Sequence, residues 1–286
     1  MSLQAPSFPK RLELELVSAC NLQCTYCPRR FLKPLRGHMD VGLLRKIVDE
    51  AAAYPDTILT LHRRGESLLH PRLGEALDYV AGKFKEVQLA TNATLLDPDK
   101  FDALVRGLTF ISFSLDAPAS FDRTRIPAEY AVVERKILEF LDFNRGQVRT
   151  QSSMVRTEKT SEEDVEAFKA AWQGRVDRVR IYEEHSVNGR FGAMRLPRGE
   201  RRPCVMPFYE MLVYDDGKVG RCNHDWDSQP MGDLNKTSIA ELWRSPRYEE
   251  LRRQHRESVL ADPVCRDCDS WYAEEGRQGT GEVVEK

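Results

Sequence analysis

The stretch Cys20-Asn21-Leu22-Gln23-Cys24-Thr25-Tyr26-Cys27 places three cysteines on one short segment. It follows residues 11–17, in which apolar and charged residues alternate as they do in a β-strand. A closed iron–sulfur or structural zinc site takes four protein ligands, whereas three thiolates leave one iron of a 4Fe–4S cube open to an outside ligand. The spacing therefore predicts an open metal site after the first strand. A zinc ion with a distant fourth ligand, or buried thiols without metal, remain alternatives.

The composition describes a soluble globular chain. Of its 286 residues 41% are hydrophobic and 31% charged, enough for one large domain with a smaller appendage. Lys and Arg total 43 against 45 Asp and Glu, and the net charge of −2 gives no general attraction to nucleic acid or to an anionic membrane. No apolar run approaches the roughly 20 residues of a membrane helix, and residues 1–10 lack a signal-peptide pattern. We expect a cytoplasmic protein.

The remaining cysteines form a second set. Seven is an odd number, and a reducing cytosol disfavours disulfides, so spacing must explain the thiols. Four thiolates are the complement of a closed 4Fe–4S cluster or of a tetrahedral zinc ion, and composition alone does not choose between them. The second set consists of Cys204, Cys222, Cys265 and Cys268.

Strand and helix patterns alternate between the two cysteine sets. Six strands separated by helices imply an α/β fold with a parallel sheet, either open or curled into a partial barrel. Active sites on such sheets lie at the carboxyl ends of the strands. We predict the other five strands at 57–62, 86–91, 110–115, 148–155 and 176–182, and the helices at 41–53, 71–83, 98–106, 132–143 and 161–172.

The carboxyl-terminal third has a different pattern. A β-hairpin is predicted over residues 209–222, with helices at 238–244 and 246–255. We expect a core domain over 1–185, an Arg- and Gly-rich linker or lid over 186–203, a smaller domain over 204–272 and a disordered tail over 273–286.

The first cysteine loop, including the aromatic Tyr26 before its last cysteine, resembles the cluster loop of the radical S-adenosylmethionine (radical SAM) superfamily. The resemblance implies a partial (β/α)6 TIM barrel in which Cys20, Cys24 and Cys27 hold a 4Fe–4S cluster. It further implies that the amino and carboxylate groups of SAM chelate the open iron. An electron, supplied by a flavodoxin- or ferredoxin-type donor, then cleaves SAM to a 5′-deoxyadenosyl radical that takes a hydrogen atom from the substrate.

Shorter segments extend the resemblance. Arg64-Gly65-Glu66 is similar to the family's Gly-Gly-Glu, Thr91-Asn92-Ala93 to its Thr-Asn-Gly, and Ser114-Leu115-Asp116 to its Ser-Leu/Ile-Asp, although Arg64 and Ala93 stand where the family has glycine. Structural roles stay open: Asn92 as a cap, Asp116 as an acceptor for loop amides, and Met154 as core. The resemblance implies SAM contacts from Tyr26, Gly65, Glu66, Asn92, Ser114, Asp116 and Met154.

The second cysteine set resembles the shortened SPASM, or twitch, domain, which houses one auxiliary cluster. Residues 231–234 (Met-Gly-Asp-Leu) and 242–243 (Leu-Trp) match its connecting segment. The resemblance implies a second 4Fe–4S cluster, with zinc as the alternative. Within the superfamily the arrangement is similar to that of twitch-bearing dehydrogenases that oxidise an aminocyclitol alcohol.

The predicted reaction is dehydrogenation of a sugar-like or aminocyclitol alcohol, with the auxiliary cluster as electron acceptor. Every cysteine is a predicted cluster ligand, which disfavours an epimerisation that returns hydrogen from a thiol. Modification of a ribosomal peptide and redox-neutral sugar elimination or rearrangement remain open. The short segment before Arg11 leaves no room for a leader-recognition domain and favours a small molecule over a peptide. A non-catalytic electron carrier is the alternative outside enzymes.

The dehydrogenation needs a base at the predicted mouth of the sheet. The candidates are Tyr182, Glu183, Glu184, His185, His62, His224 and Asp225.

Overall fold

The computed structural model describes residues 3–32, 37–184, 201–222, 224–226, 229–268 and 282–285. The described strands are β1 (Arg11–Leu14), β2 (Ile58–Thr60), β3 (Val87–Thr91), β4 (Phe110–Ser114), β5 (Arg149–Arg156), β6 (Arg178–Glu183), β7 (Glu210–Val213), β8 (Lys218–Gly220), β9 (Gly232–Asp233) and β10 (Val283–Glu285). The described helices are α1 (Val41–Ala51), α2 (Leu73–Val80), α3 (Pro98–Gly107), α4 (Phe121–Thr124), α5 (Tyr130–Asn144), α6 (Glu162–Trp172), α7 (Met206–Tyr209), α8 (Ile239–Trp243), α9 (Pro246–Glu257) and α10 (Pro263–Arg266).

The first six strands form the core of one sheet. They lie in the order β6-β5-β4-β3-β2-β1, every neighbouring pair is parallel, and helices connect successive strands. The predicted α/β fold with the strand–helix arrangement of a partial (β/α)6 barrel is confirmed. All eleven predicted strands and helices of this part begin and end within three residues of the observed bounds.

Local sequence explains why the helices form where predicted. The Asp40 side chain accepts hydrogen bonds from the backbone N–H groups of Gly42 and Leu43 and so caps α1. Ser161 and Asp164 form a capping box at the start of α6. The apolar face of α1 is buried at the predicted positions, namely Val41, Leu44, Ile47, Val48 and Ala51.

The predicted hairpin is present, and it extends the core sheet. Strand β7 pairs with β1 in parallel, from Arg11 opposite Glu210 to Leu14 opposite Val213. Strands β8 and β9 continue the sheet in antiparallel fashion. The sheet is therefore continuous across the predicted boundary between the larger and the smaller domain, and the auxiliary cysteines are attached to the edge of the core.

The prediction of a disordered tail is wrong for residues 283–285. They form β10, which pairs antiparallel with the outer strand β6, and the Ile181 N–H donates to the Glu282 carbonyl at 2.9 Å. Val283 and Val284 are β-branched, and the edge of β6 offers unpaired backbone groups, so local propensity and the open edge agree. Residues 273–281 and most of the predicted linker, 185–200, lie outside the described residues.

The inward faces of the strands enclose a cavity of about 1150 Å³. Because side chains alternate along a strand, Gln151, Ser153 and Val155 of β5 point into it together. Polar side chains dominate the wall between the strand ends. Within the described part of the chain, no helix is long and apolar enough to span a bilayer.

Candidate active site

The first cysteine loop lies directly beyond β1, at the carboxyl end of the sheet. The thiols of Cys20, Cys24 and Cys27 are free and only partly buried, and all three line the large cavity. Backbone hydrogen bonds fix the loop: the Gln23 N–H donates to the Ile126 carbonyl at 2.7 Å and the Thr25 N–H to the Thr124 carbonyl at 2.9 Å. The predicted trio is therefore brought together at the mouth of the barrel.

The raised pKa values of the three thiols show that their thiolate forms need a nearby positive charge, such as bound iron. Burial raises the pKa of Cys24 to about 12, with a further rise from the neighbouring Cys27 and Cys20. Burial also raises the pKa of Cys20 and of Cys27. The thiolate is the form that binds iron, and here its charge is penalised by burial and by the other two sulfurs. Iron bound between the sulfurs would remove that penalty, so the donor set fits a cluster held by three cysteines.

Gly65 brings the loop after β2 against the cysteine loop. A Cβ at this position would lie 2.2 Å from the carbonyl oxygens of both Val17 and Ala19, so only glycine fits. The next residue continues the contact, because the Glu66 N–H donates to the Ala19 carbonyl at 2.8 Å. Arg64, which replaces the family's first glycine, turns its guanidinium onto the Glu15 carboxylate, with nitrogen–oxygen distances of 2.7 and 2.6 Å.

The buried Glu66 carboxylate is largely occupied by this chain's own donors. Oε1 accepts from the Leu68 N–H at 3.0 Å and from the Thr91 hydroxyl at 2.8 Å, while Oε2 accepts from the Asn92 N–H at 2.7 Å. Burial raises the pKa of Glu66. Since a carboxylate oxygen has two acceptor positions, one position on Oε2 remains for a cofactor amino group.

Asn92 connects the third strand end to the cysteine loop. Its Nδ2 donates to the Asn21 Oδ1 at 3.0 Å and approaches the Cys20 sulfur at 3.8 Å. Ala93 follows with a φ of +59°, the left-handed region in which glycine is favoured. Ala93 thus takes the backbone conformation that explains why the related motif has glycine there.

Asp116 lies behind the cavity. Its carboxylate accepts from the Tyr26 hydroxyl at 3.0 and 3.1 Å, from the Thr124 hydroxyl at 2.6 Å and from the Arg125 Nε at 3.0 Å. Asp116 is buried and is not among the described residues that line the cavity. In this position Asp116 holds Tyr26 and Arg125 at the wall, and its contact with SAM stays a prediction.

Met154 takes the core position that was left open beside its predicted contact with SAM. Met154 is buried in the hydrophobic core, on the face of β5 opposite to Ser153 and Val155, which do line the cavity. The strand period of two decides which side each residue faces. Ser114 at the end of β4 does line the cavity, as predicted.

The structure gathers most candidate bases at the same cavity. Tyr182, Glu183, Glu184, His62 and His224 line it, whereas His185 lies outside the described residues. Asp225 is buried away from it, 3.5 Å from the guanidinium of Arg221. The carboxyl end of β6 is thus the main acidic part of the wall.

His62 is excluded as a base by its hydrogen bond. The Ala90 N–H donates to its Nδ1 at 3.0 Å, so in the neutral ring the proton is on Nε2. Burial, together with the positive charges of Arg11 and Arg63, lowers its pKa to about 3. His62 therefore presents a hydrogen-bond donor to the cavity.

The second cysteine set surrounds a much smaller cavity, of about 20 Å³. Burial raises the pKa of Cys204 to about 12, that of Cys265 to about 11, and that of Cys222 as well, and the neighbouring thiol of Cys268 raises all three further. Four close thiols in a buried pocket fit a closed cluster. Among the described residues, no group of three or more His, Cys, Asp or Glu is placed to hold a single metal ion. All four predicted cysteines line the pocket: Cys204, Cys222, Cys265 and Cys268.

His224 connects the two cavities, because it lines both of them. Sequence reasoning nominated it only as a neighbour of Cys222. It missed Arg63 and Trp226, which also line the large cavity and stack at 5.2 Å from guanidinium carbon to ring centroid. Arg63 directly precedes a recognised motif, and that adjacency was the only signal in the sequence.

Comparison with known proteins agrees with this geometry. Residues 14–169 match the radical SAM superfamily, and residues 204–269 match the SPASM iron–sulfur cluster-binding domain. A cofactor-modifying protein for tungsten-containing aldehyde ferredoxin oxidoreductase from Pyrococcus furiosus is 32% identical over 109 residues, 37% of this chain and 31% of that protein. The subtilosin biosynthesis protein AlbA from Bacillus subtilis is 30% identical over 112 residues, 38% of this chain and 25% of that protein. The chain thus matches less than a third of the length of these two relatives.

Solved structures share the fold at low identity. SuiB from Streptococcus suis, bound to the precursor peptide SuiA, has a TM-score of 0.71 and 14% identity, and the match covers 87% of this chain and 67% of that chain. BtrN in complex with AdoMet and 2-DOIA has a TM-score of 0.64 and 17% identity, covering 96% of this chain and 98% of that chain. Because the superfamily match covers more than half of the 286 residues, and the three thiols and the barrel agree with it, this chain belongs to the radical SAM superfamily and carries a SPASM domain.

Proposed function

We propose that this enzyme dehydrogenates a hydroxyl-bearing small molecule, a sugar-like or aminocyclitol alcohol. When bound, the cluster and SAM supply a 5′-deoxyadenosyl radical, which takes the hydrogen atom from the carbinol carbon and becomes 5′-deoxyadenosine. The hydroxyl then loses its proton to a base and the carbon–oxygen double bond forms. Cys204, Cys222, Cys265 and Cys268 would hold the auxiliary cluster, which would supply an acceptor for the second electron. The sum is loss of two electrons and two protons from the alcohol.

The observation that carries the proposal is the shared wall at His224. This side chain lines both the large cavity and the pocket of the four thiols, so an electron acceptor held by those thiols would border the substrate space. The cavity, at about 1150 Å³, exceeds the roughly 300–1,000 Å³ of ordinary ligand pockets and has room for SAM together with a second molecule.

The polar lumen supports a hydroxylated substrate. Ser112 and Ser153 face each other across β4 and β5 with a hydroxyl separation of 3.3 Å, and the Gln151 amide donates to Ser112 at 2.8 Å. Such side chains can donate hydrogen bonds to the hydroxyl groups of a substrate and accept hydrogen bonds from them.

We propose Glu183 as the base. Its Oε2 is buried and accepts no hydrogen bond within the described part of the chain, while the residue lines the cavity at the end of β6. A carboxylate oxygen in that position is available for the hydroxyl proton of a substrate. Tyr182, Glu184 and His224 remain candidates, and so does His185.

A peptide substrate is the second candidate. It is supported by SuiB, whose structure holds the precursor peptide SuiA, and by the bacteriocin biosynthesis protein AlbA, whereas BtrN, whose structure holds 2-DOIA, supports the small molecule. Redox-neutral sugar elimination or rearrangement is a further alternative.

We also propose a cytoplasmic location and a flavodoxin- or ferredoxin-type electron donor, because free thiols and iron–sulfur clusters need a reducing compartment.

The test is an anaerobic assay with reduced protein, SAM and a panel of cyclitols, aminocyclitols and sugars deuterated at the carbinol carbon. We expect deuterium in 5′-deoxyadenosine and one ketone for each labelled nucleoside. Glu183→Gln should lower ketone formation at least tenfold while SAM cleavage is retained, because the base acts after the hydrogen atom has been taken. The same assay is run with a library of deuterated peptides. If deuterium is transferred from a peptide and from none of the alcohols, the proposal is contradicted and the second candidate is favoured.

A further inference from the structure

Two consecutive arginines connect the loop of the SAM site to the loop of the auxiliary cysteines. Arg63 Nη2 donates to the carbonyl of Cys222 at 3.4 Å, and Arg64 Nη1 donates to the carbonyl of Trp226 at 3.1 Å. The arginines directly precede Gly65, whose backbone touches the first cysteine loop. Residues 63–65 therefore contact both loops: the arginine side chains reach the loop of Cys222, and Gly65 packs against the backbone that leads into the first cysteine loop.

Two acidic residues, one in β1 and one just after it, pair with the guanidinium groups of Arg63 and Arg64. The Arg64 fork binds both oxygens of Glu15, with distances of 2.7 and 2.6 Å, and Arg63 Nε lies 3.5 Å from Glu13. All four side chains are buried, with exposed fractions from 0 to 9%. A buried guanidinium in a paired, two-pronged contact has a fixed plane, and so its remaining nitrogen points in a fixed direction.

Aromatic rings fix those planes further. The Arg64 guanidinium lies 4.1 Å from the ring centroid of Tyr214, and that of Arg63 lies 5.2 Å from the ring of Trp226. Tyr214 in turn donates its hydroxyl hydrogen bond to the Asp225 carbonyl at 3.0 Å. The two arginines thus hold the carbonyls of Cys222 and Trp226 directly, and Arg64 stacks on the Tyr214 ring that holds the carbonyl of Asp225.

We propose that Arg63 and Arg64 are positioning residues that fix the backbone around Cys222 against the SAM-site loop, and that the Arg63 charge stabilises the reduced auxiliary cluster. This assignment rests on the proposed role of that cluster as electron acceptor. It gives a function to the departure from the family's Gly-Gly-Glu, because glycine at position 64 has no side chain to reach Glu15 or Trp226. A cation beside a cluster favours the added electron and raises its reduction potential.

The test uses the full chain with both clusters, prepared without oxygen, and compares Arg63→Gln with Arg45→Gln. Arg45 lies on α1, is about half exposed and pairs with Glu75, so it is the matched control. We expect Arg63→Gln to shift the auxiliary midpoint potential to more negative values in an EPR-monitored titration. The spectral response of the other cluster to SAM should stay as in the control.

Arg64→Lys is the second variant, because it keeps the charge and removes the fork. We expect a broadened auxiliary EPR signal, caused by several positions of the Cys222 backbone, with its potential close to that of the wild type. If Arg63→Gln loses its clusters on purification, Arg63→Lys replaces it, with a broadened signal expected. Auxiliary potential and line shape equal to those of Arg45→Gln in the folded variants would overturn the inference. These measurements need no substrate, so they fail or succeed independently of the dehydrogenation assay.

Discussion

The two thiol sites of this chain differ in what faces them. The trio of Cys20, Cys24 and Cys27 opens onto a cavity of about 1150 Å³, whereas the quartet at the other end of the chain encloses about 20 Å³. Three ligands beside open space leave a coordination position for another molecule, and four ligands around a small pocket leave none. This difference supports the proposal that the trio holds the cluster that cleaves SAM and that the quartet holds the cluster that accepts an electron.

The two sites are also supported differently. The trio's loop is tied through Tyr26 to the Asp116–Arg125 pair, in which both side chains are almost fully buried. The quartet is supported by Arg221, whose fork binds both oxygens of Asp262 at 2.9 and 2.6 Å, and Asp262 is one-third exposed. The Asp116–Arg125 pair is therefore more buried than the Arg221–Asp262 pair, while Arg221 also lies 3.5 Å from the buried Asp225.

Removal of one trio ligand should have the largest effect. Cys24→Ala leaves two thiolates, so the open cluster is not held, and we expect 5′-deoxyadenosine formation to fall to background. Iron should drop from about eight to about four atoms per chain, since the quartet is untouched. Retained SAM cleavage in this variant would break the comparison outright.

Removal of one quartet ligand separates the two roles. In Cys222→Ala the trio is intact, so SAM cleavage should continue at a rate comparable to that of the wild type. Ketone formation should be lost, because the second electron has no acceptor. The measurement is the ratio of 5′-deoxyadenosine to ketone, and an unchanged ratio would contradict the assignment of electron storage to the quartet.

The supporting ion pairs give a third, smaller contrast. Asp116→Asn leaves the buried Arg125 charge uncompensated and should lower the free energy of unfolding by about 3–5 kcal/mol. Asp262→Asn keeps the cap on the N–H of Val264 and weakens a partly exposed pair, so we expect a loss of about 1–2 kcal/mol. Denaturant unfolding of both variants checks the order, and equal losses would remove this difference between the sites.

His62, on the wall of the large cavity, gives an effect that is visible only as a dependence of stability on pH. Its pKa is about 3 in the folded chain and about 6.5 in the unfolded chain, so the unfolded state binds the proton first as pH falls. The stability contributed above pH 6.5 is therefore lost on acidification. Between pH 7 and pH 5 the wild type should lose about 2 kcal/mol more than His62→Gln in denaturant unfolding. Parallel pH profiles of the two proteins would show that His62 is not held neutral.

The sequence predicted the parts of the fold that depend on local patterns. Hydrophobic spacing located α1 and its cap at Asp40, and cysteine spacing located both thiol sites. The pairing of β7 with β1 was not predictable, because it joins residues about 200 positions apart and neither strand alone specifies its neighbour. The tail strand β10 was missed for the same reason.

The site shows the same division. The motif resemblance found Gly65, Glu66 and Asn92, whose positions follow from strand ends. It left Met154 open between a SAM contact and a core position, since only the strand register tells which side chain faces the cavity. It also treated Arg64 as a departure, while the partners of Arg64 lie far along the chain: Glu15 is 49 positions away and Trp226 is 162 positions away.

The most direct test of the central claim is the EPR spectrum of Cys222→Ala, reduced without oxygen, recorded before and after addition of SAM. In this variant the trio alone holds a complete cluster, so the signal reports on the open position. The account predicts a changed spectrum in the presence of SAM. An equal concentration of adenosine, which lacks the methionine group that would bind the iron, should cause no such change. An identical spectrum with and without SAM would contradict it.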